Sequence, residues 1–164
     1  MNNKKLWLAA GIAVVGIILF LNRKSVKRVV TDAVLDSIIA FIIAVNEGGA
    51  KVITDEGGLT KYGIAQKYHP NLNIRALTLD DAKAIYRKEY LAKLPIITDP
   101  LLLYQVFDMA INAGVGAALK LYKKGMTAEQ YKSARLQYYS TRKGWANLNN
   151  RKSWTRRVVN GFHV

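Results

Sequence analysis

Between Leu6 and Leu21 the chain reads LWLAAGIAVVGIILFL, sixteen residues without a charge. Lys4 and Lys5 precede this run, and Arg23, Lys24, Lys27 and Arg28 follow it. A helix that is apolar on every face has no side to offer to water, so it is expected in lipid or wholly inside a core. At about 1.5 Å per residue it spans roughly 24 Å, a short crossing of the ~30 Å hydrocarbon layer in which Lys5 and Arg23 snorkel. No small-residue cleavage site follows Leu21, which favours a retained anchor over a cleaved signal peptide. Residues 1–25 are therefore read as an N-terminal membrane anchor with its span at about 6–21 and the lipid bilayer as its partner. Residues 26–164 are read as one folded domain of ordinary size.

The charge of +14 is unevenly spread. Residues 1–30 carry six basic groups and no acid, residues 31–116 eight basic and ten acidic, and residues 117–164 eleven basic groups and only Glu129. A nucleic-acid binder gains from cations along its whole contact face. The slightly acidic middle argues against that partner and points to a use for carboxylates there. The chain has no cysteine and two histidines, His69 and His163, which removes thiol nucleophiles and thiolate zinc sites and leaves no set of ligands for a histidine cage. No cofactor and no metal are expected. The chemistry falls to carboxylates, hydroxyls and amides.

Beyond the apolar run the hydrophobic spacing is helical nearly throughout. One helix is expected over 31–46, ending at Gly48-Gly49, because glycine takes the left-handed cap without strain. Residues 50–64 are Gly-punctuated and rich in Thr, Tyr, Val and Ile, the one place for a small β-hairpin. Thr78 and Asp81 form a capping-box pattern opening a helix over 79–93, and Pro100 suits the first turn of a helix over about 101–112. Gly114 and Gly116 break that pattern, a helix resumes to Lys124, and Thr127 with Gln130 opens another over 128–144. A short last helix is expected from about Ser153.

Glu47 follows the apolar stretch IIAFIIAV and Asn46, at a helix end and before a glycine pair. Partial burial and the negative end of the helix dipole both disfavour its anion, and the nearest cation in sequence is Lys51, so a raised pKa is expected. A carboxylic acid kept protonated near neutrality is what protonation of a glycosidic leaving oxygen requires. The stretch after it supplies a second carboxylate, tight glycine turns and a hydroxyl on the one segment expected to be β.

These residues carry a resemblance. Glu47-Gly48-Gly49, then Asp55-x-Gly57-Gly58-x-Thr60-x-Tyr62-Gly63-Ile64, resembles the glycoside hydrolase family 108 peptidoglycan hydrolases, a lysozyme-like branch common in phages. The likeness continues through Leu77-Thr78-x-Asp80-Asp81-Ala82, Ile85-Tyr86, Tyr90, Val106-Phe107-Asp108, Asn112-x-Gly114 and Ser153-Trp154-x-x-Arg157-Val158. It implies a mainly α, lysozyme-like α+β domain with a small β-hairpin, preceded here by a single transmembrane helix. The implied activity is that of a muramidase, which cleaves the bond between N-acetylmuramic acid and N-acetylglucosamine in bacterial peptidoglycan. The implied setting is a phage-encoded protein for host wall penetration or lysis, in the host envelope or in a membrane-containing virion.

Carried over residue by residue, Glu47 takes the catalytic acid position, Asp55 the acidic position before the glycine pair, and Thr60 the hydroxyl position that orients a water. The link from Glu47 to Asp55 is shorter than the family pattern, and Glu56 stands where proline is expected. Either Asp55 or Glu56 is thus open as the second carboxylate. Tyr62, Asp108 and Asn112 are expected to contact substrate with Glu56. Asp108 and Asn112 lie four apart on one helical face and suit a cleft floor, though Asn112 equally suits a helix cap before Gly114. Aromatic residues at helical spacing are more often core than sugar platforms. The basic C-terminal segment suits attraction to an anionic wall. A lytic transglycosylase acting on the same bond, and a non-catalytic membrane-anchored wall-binding or virion protein, are the competing readings.

Overall fold

The computed structural model describes residues 30–55, 57–159 and 162. The expected span at 6–21 and Glu56 lie outside the described residues; among the described residues no helix is long and apolar enough to cross a membrane. Among these residues the architecture is mainly helical, with a small antiparallel sheet.

Helix α1 (Asp32–Phe41) starts where the Thr31 hydroxyl accepts a hydrogen bond from the Val34 N–H, and it continues as a π-helical turn over Ile42–Asn46. Within the apolar stretch Ile38, Ile39, Ile42 and Ile43 are buried, an i, i+1, i+4, i+5 stripe that turns one face inward. Gly48 (φ 77°) and Gly49 (φ 63°) then take the left-handed region, and the Gly49 N–H reaches back to the Ile43 carbonyl at 2.9 Å. The π turn adds a residue to the last loop of the helix and sets Glu47 at its edge, where its N–H bonds the Ile42 carbonyl.

The sheet has three strands rather than a bare hairpin: β1 (Ile53–Asp55), β2 (Gly58–Lys61) and β3 (Ile64–Ala65), in that order and antiparallel. Ile53 pairs with Thr60 and Asp55 with Gly58. The β2–β3 connection is a two-residue turn with positive φ at both Tyr62 (53°) and Gly63 (76°), the pattern of a primed hairpin turn whose twist matches the strands.

Helix α2 (Leu79–Glu89) opens with the expected capping box, Thr78 and Asp81 bonding each other's backbone N–H groups. It stops short of the expected 93, giving way to a 3₁₀ turn at Leu91–Lys93. Helix α3 (Pro100–Ala113) starts on the Asp99 side chain, and every residue from Leu102 to Ala110 is buried. It forms the centre of the core, packed against α1, α4 (Val115–Leu121) and α5 (Ala128–Ser140). Thr127 and Gln130 make the second expected capping box. Helix α5 ends at Ser140 rather than 144, and α6 (Leu148–Val159) begins five residues before the expected Ser153, where the Asn147 side chain accepts from the Asn149 and Asn150 N–H groups.

Candidate active site

The end of α1 and the sheet enclose a cleft of about 660 Å³, whose lining includes Asn46, Glu47, Ile53, Thr60, Lys67 and Tyr68. Glu47 lies at its base with 15% of its side chain exposed. Gly63 lies against it. A Cβ at Gly63 would stand 2.7 Å from Glu47 Oε2 and 2.8 Å from Glu47 Cβ, and closer still to the Tyr86 hydroxyl. The hairpin turn needs positive φ there and the carboxyl needs the space, so glycine answers two demands at one position. The Tyr86 hydroxyl donates to the Tyr62 carbonyl at 2.8 Å and ties that turn to α2.

Behind Glu47 stands a buried ionic network built from distant parts of the chain. Arg157 of α6 donates through Nη2 to Glu47 Oε1 at 2.6 Å and to the Asn46 carbonyl at 3.0 Å, and through Nη1 to Asp108 Oδ1 at 2.9 Å. Asp108, fully buried, is bonded on its other oxygen by Arg135 of α5. Arg135 is fully buried as well, and it also donates to Gln105 Oε1 (3.1 Å) and to the Tyr139 hydroxyl (3.0 Å). The Asn46 amide donates to Asp108 at 2.8 Å, while Asn46 Oδ1 is a buried acceptor with no partner among the described residues. Asp108 lies between the two guanidinium groups and bonds both, which is how a buried anion is tolerated.

The Glu47 carboxyl is pushed above its ordinary range by burial, with Asp108 adding to the rise and Arg157 opposing it. Arg157 binds Oε1, which leaves Oε2, the oxygen beside Gly63, as the one that can carry a proton. When that proton leaves, the new anion already has a charge-assisted hydrogen bond from Arg157.

Several sequence expectations change. Asp108 is not a cleft-floor contact for substrate: it is sealed inside and acts on Glu47 through Arg157. Asn112 accepts from the Tyr139 hydroxyl at 2.7 Å, part of the same packed network. Thr60 lines the cleft, paired across the sheet with Ile53. Tyr62 is half-buried at the hairpin turn, with Lys61 Nζ 5.2 Å from its ring centroid. Asp55 closes β1 opposite Gly58. Of the basic C-terminal residues, Arg135 and Arg157 turn inward, whereas Arg142, Lys143, Arg151, Lys152 and Arg156 remain exposed. Trp154 stacks on Tyr139 at 5.1 Å and Trp145 on Trp154 at 6.3 Å, so these rings pack against the domain.

Arg157 enters the sequence reading only as part of a motif, with no role, and Tyr68 does not enter it. Arg157 is 110 positions from Glu47, and nothing local announces their contact. Tyr68, 73% exposed at the cleft rim, carried a signal in its own neighbourhood, an aromatic between Lys67 and His69-Pro70 in a loop.

A part-buried carboxyl of raised pKa at a cleft beside a small sheet suits a glycosidase, and the chain is a glycoside hydrolase. Residues 40–114 match the family model described as Glycosyl hydrolase 108, which supports that family and a peptidoglycan substrate. The matched stretch carries Glu47, the sheet, α2 and Asp108, and ends before Arg135 and Arg157. No curated protein and no solved structure matches the chain.

Proposed function

We propose that this protein is a muramidase of lysozyme type, with Glu47 as the general acid that protonates the oxygen between N-acetylmuramic acid and N-acetylglucosamine. The observation that carries this reading is the setting of Glu47: part-buried in the cleft, raised in pKa by desolvation, and hydrogen-bonded by a cation that stabilises the carboxylate once the proton has gone. Lowering the barrier this way suits a leaving alkoxide, which departs as an alcohol when protonated in step.

In this reading Thr60 orients the attacking water from β2, and either Asp55, the last residue of β1, or Glu56 acts as the second carboxylate. Separation of the two carboxyl groups by about 5–5.5 Å gives retention, and by about 6.5–9.5 Å leaves room for water and gives inversion. The N-terminal run at 6–21 anchors the enzyme as a single-pass membrane protein, and the exposed cations of α6 hold it near an anionic wall. A phage protein for host wall entry or lysis is the setting this combination fits.

Glu47→Gln keeps the shape and removes the proton. In purified peptidoglycan it is expected to abolish release of new glycan ends while the variant stays folded by circular dichroism; wild-type rates in that variant overturn the assignment. Free reducing ends in the wild-type product mark a hydrolase. A 1,6-anhydro end marks a lytic transglycosylase, in which the sugar's own hydroxyl attacks.

A further inference from the structure

Tyr68 borders two depressions. One is the Glu47 cleft; the other is a groove of about 420 Å³ between the loop after β3 and the outer face of α2. Leu72, Ala84 and Ile85 contribute the apolar part of this second groove, and Lys88 and Glu89 its charged end. Helix α2 serves both sides. Tyr86 reaches the turn beside Glu47, whereas Ile85, Lys88 and Glu89 face the groove. The Tyr90 hydroxyl is raised in pKa chiefly by burial, with Glu89, Glu47 and Tyr68 each adding to the rise, so one phenol feels both the acid and the groove.

Besides Tyr68, the loop lines this groove with His69, Pro70 and Asn71, the aliphatic side chains are Leu72, Ala84 and Ile85, and Lys88 and Glu89 add a cation and an anion on neighbouring residues. Glu89 lies 3.7 Å from His69 Nδ1, and Lys88, beside it in sequence, lines the same groove with the opposite charge. A short peptide with alanine methyls, free carboxylates and a side-chain amine complements that order. Such a peptide hangs from the lactyl group of every unmodified muramic acid, so a glycan lying in the Glu47 cleft places one near its edge. The groove volume fits a ligand of a few residues.

We propose that this groove is a subsite for the peptide stem of peptidoglycan, with Leu72, Ala84 and Ile85 receiving its alanines, Lys88 a carboxylate and Glu89 the amine. The inference rests on the peptidoglycan reading, and it makes the enzyme selective for peptide-bearing muramic acid over bare glycan.

The test compares two substrates, intact purified peptidoglycan and the same material stripped of peptide by an N-acetylmuramoyl-L-alanine amidase. The wild type is expected to show kcat/KM at least about tenfold higher on the intact material. Lys88→Glu and Glu89→Lys should bring that ratio down toward one, and the free stem peptide should shift the amide resonances of Leu72, Ala84 and Ile85 in the wild type. Equal wild-type rates on both substrates, or a ratio unchanged in both variants, overturns the subsite. Absence of cleavage on either substrate overturns the glycosidase reading instead, so the two failures are distinguishable.

Discussion

Replacing Arg157 separates two effects that the buried network combines. The guanidinium makes three hydrogen bonds, to Glu47, Asp108 and the Asn46 carbonyl, with only 8% of its side chain exposed. Arg157→Gln leaves Asp108 with Arg135 alone and Glu47 with no cation. Breaking a buried pair by removing one partner costs about 3–5 kcal/mol, a large part of the roughly 5–15 kcal/mol available to a domain of this kind. Arg157→Lys retains the charge but cannot fork between two carboxyls; it loses at least one charged hydrogen bond, about 1.5–3 kcal/mol, and serves as the variant expected to stay folded. In the transition state the same charged bond to the nascent Glu47 anion is lost in the Gln variant, which lowers kcat by roughly 10- to 150-fold at about 1.4 kcal/mol per decade. Arg157 opposes the burial-driven rise of the Glu47 pKa, so its removal sends that pKa higher. The alkaline limb of the kcat–pH profile, where the acid loses its proton, therefore moves to higher pH in Arg157→Gln and far less in Arg157→Lys. Urea unfolding and reducing-end release from peptidoglycan across pH measure both effects. A folded Gln variant with kcat within about twofold of wild type, or an alkaline limb displaced to lower pH, refutes the role given to Arg157.

Asp108→Asn strands Arg135 among buried groups without a full anion and should destabilise the domain by about 3–5 kcal/mol, measured by urea unfolding. Gly63→Ala places a methyl group against Glu47 and Tyr86 at positive φ. About 1–2 kcal/mol of backbone strain and about 1–3 of overpacking are expected, with cleavage activity falling more than the Tm shift alone explains. Tyr86→Phe removes the hydrogen bond that holds the turn and should cost about 1 kcal/mol, read from the same unfolding curves. The raised Glu47 pKa also has a stability sign. Its contribution is fully present below the ordinary value of 4.5 and is lost as pH rises through the folded-state value. Glu47→Gln cannot ionise, so its stability relative to wild type should increase with pH across that window; a decrease contradicts the raised pKa.

What could be read from the residues was what is encoded locally. Thr78–Asp81 and Thr127–Gln130 each satisfy their N–H groups within four positions, so both helix starts were legible, as was the stop at Gly48-Gly49. The placement of Glu47 at a helix end was legible for the same reason, since its apolar approach and the glycine pair after it are consecutive. The start of α6 was missed because Asn147 is one of several asparagines in a row, and its capping role depends on which one turns its side chain back. Asp108 was misread because a polar i, i+4 pair looks alike on a cleft wall and in a buried network. Only the packing of α5 and α6 around α3, which brings in Arg135 and Arg157, separates the two cases. The raised pKa of Glu47 was anticipated from burial, but the cation beside it comes from the opposite end of the domain.

The central claim is that Glu47 holds its proton until the glycosidic oxygen takes it. The chain has only four glutamates, Glu47, Glu56, Glu89 and Glu129, so ¹³C-carboxyl labelling of glutamate yields a spectrum in which Glu47 is assigned by the loss of one signal in Glu47→Gln. Titration of that signal is expected to give a pKa above 4.5 that coincides with the alkaline limb of the free enzyme's kcat/KM profile on peptidoglycan. A Glu47 carboxyl that titrates at or below 4.5, while cleavage continues undiminished at neutral pH, contradicts its assignment as the general acid.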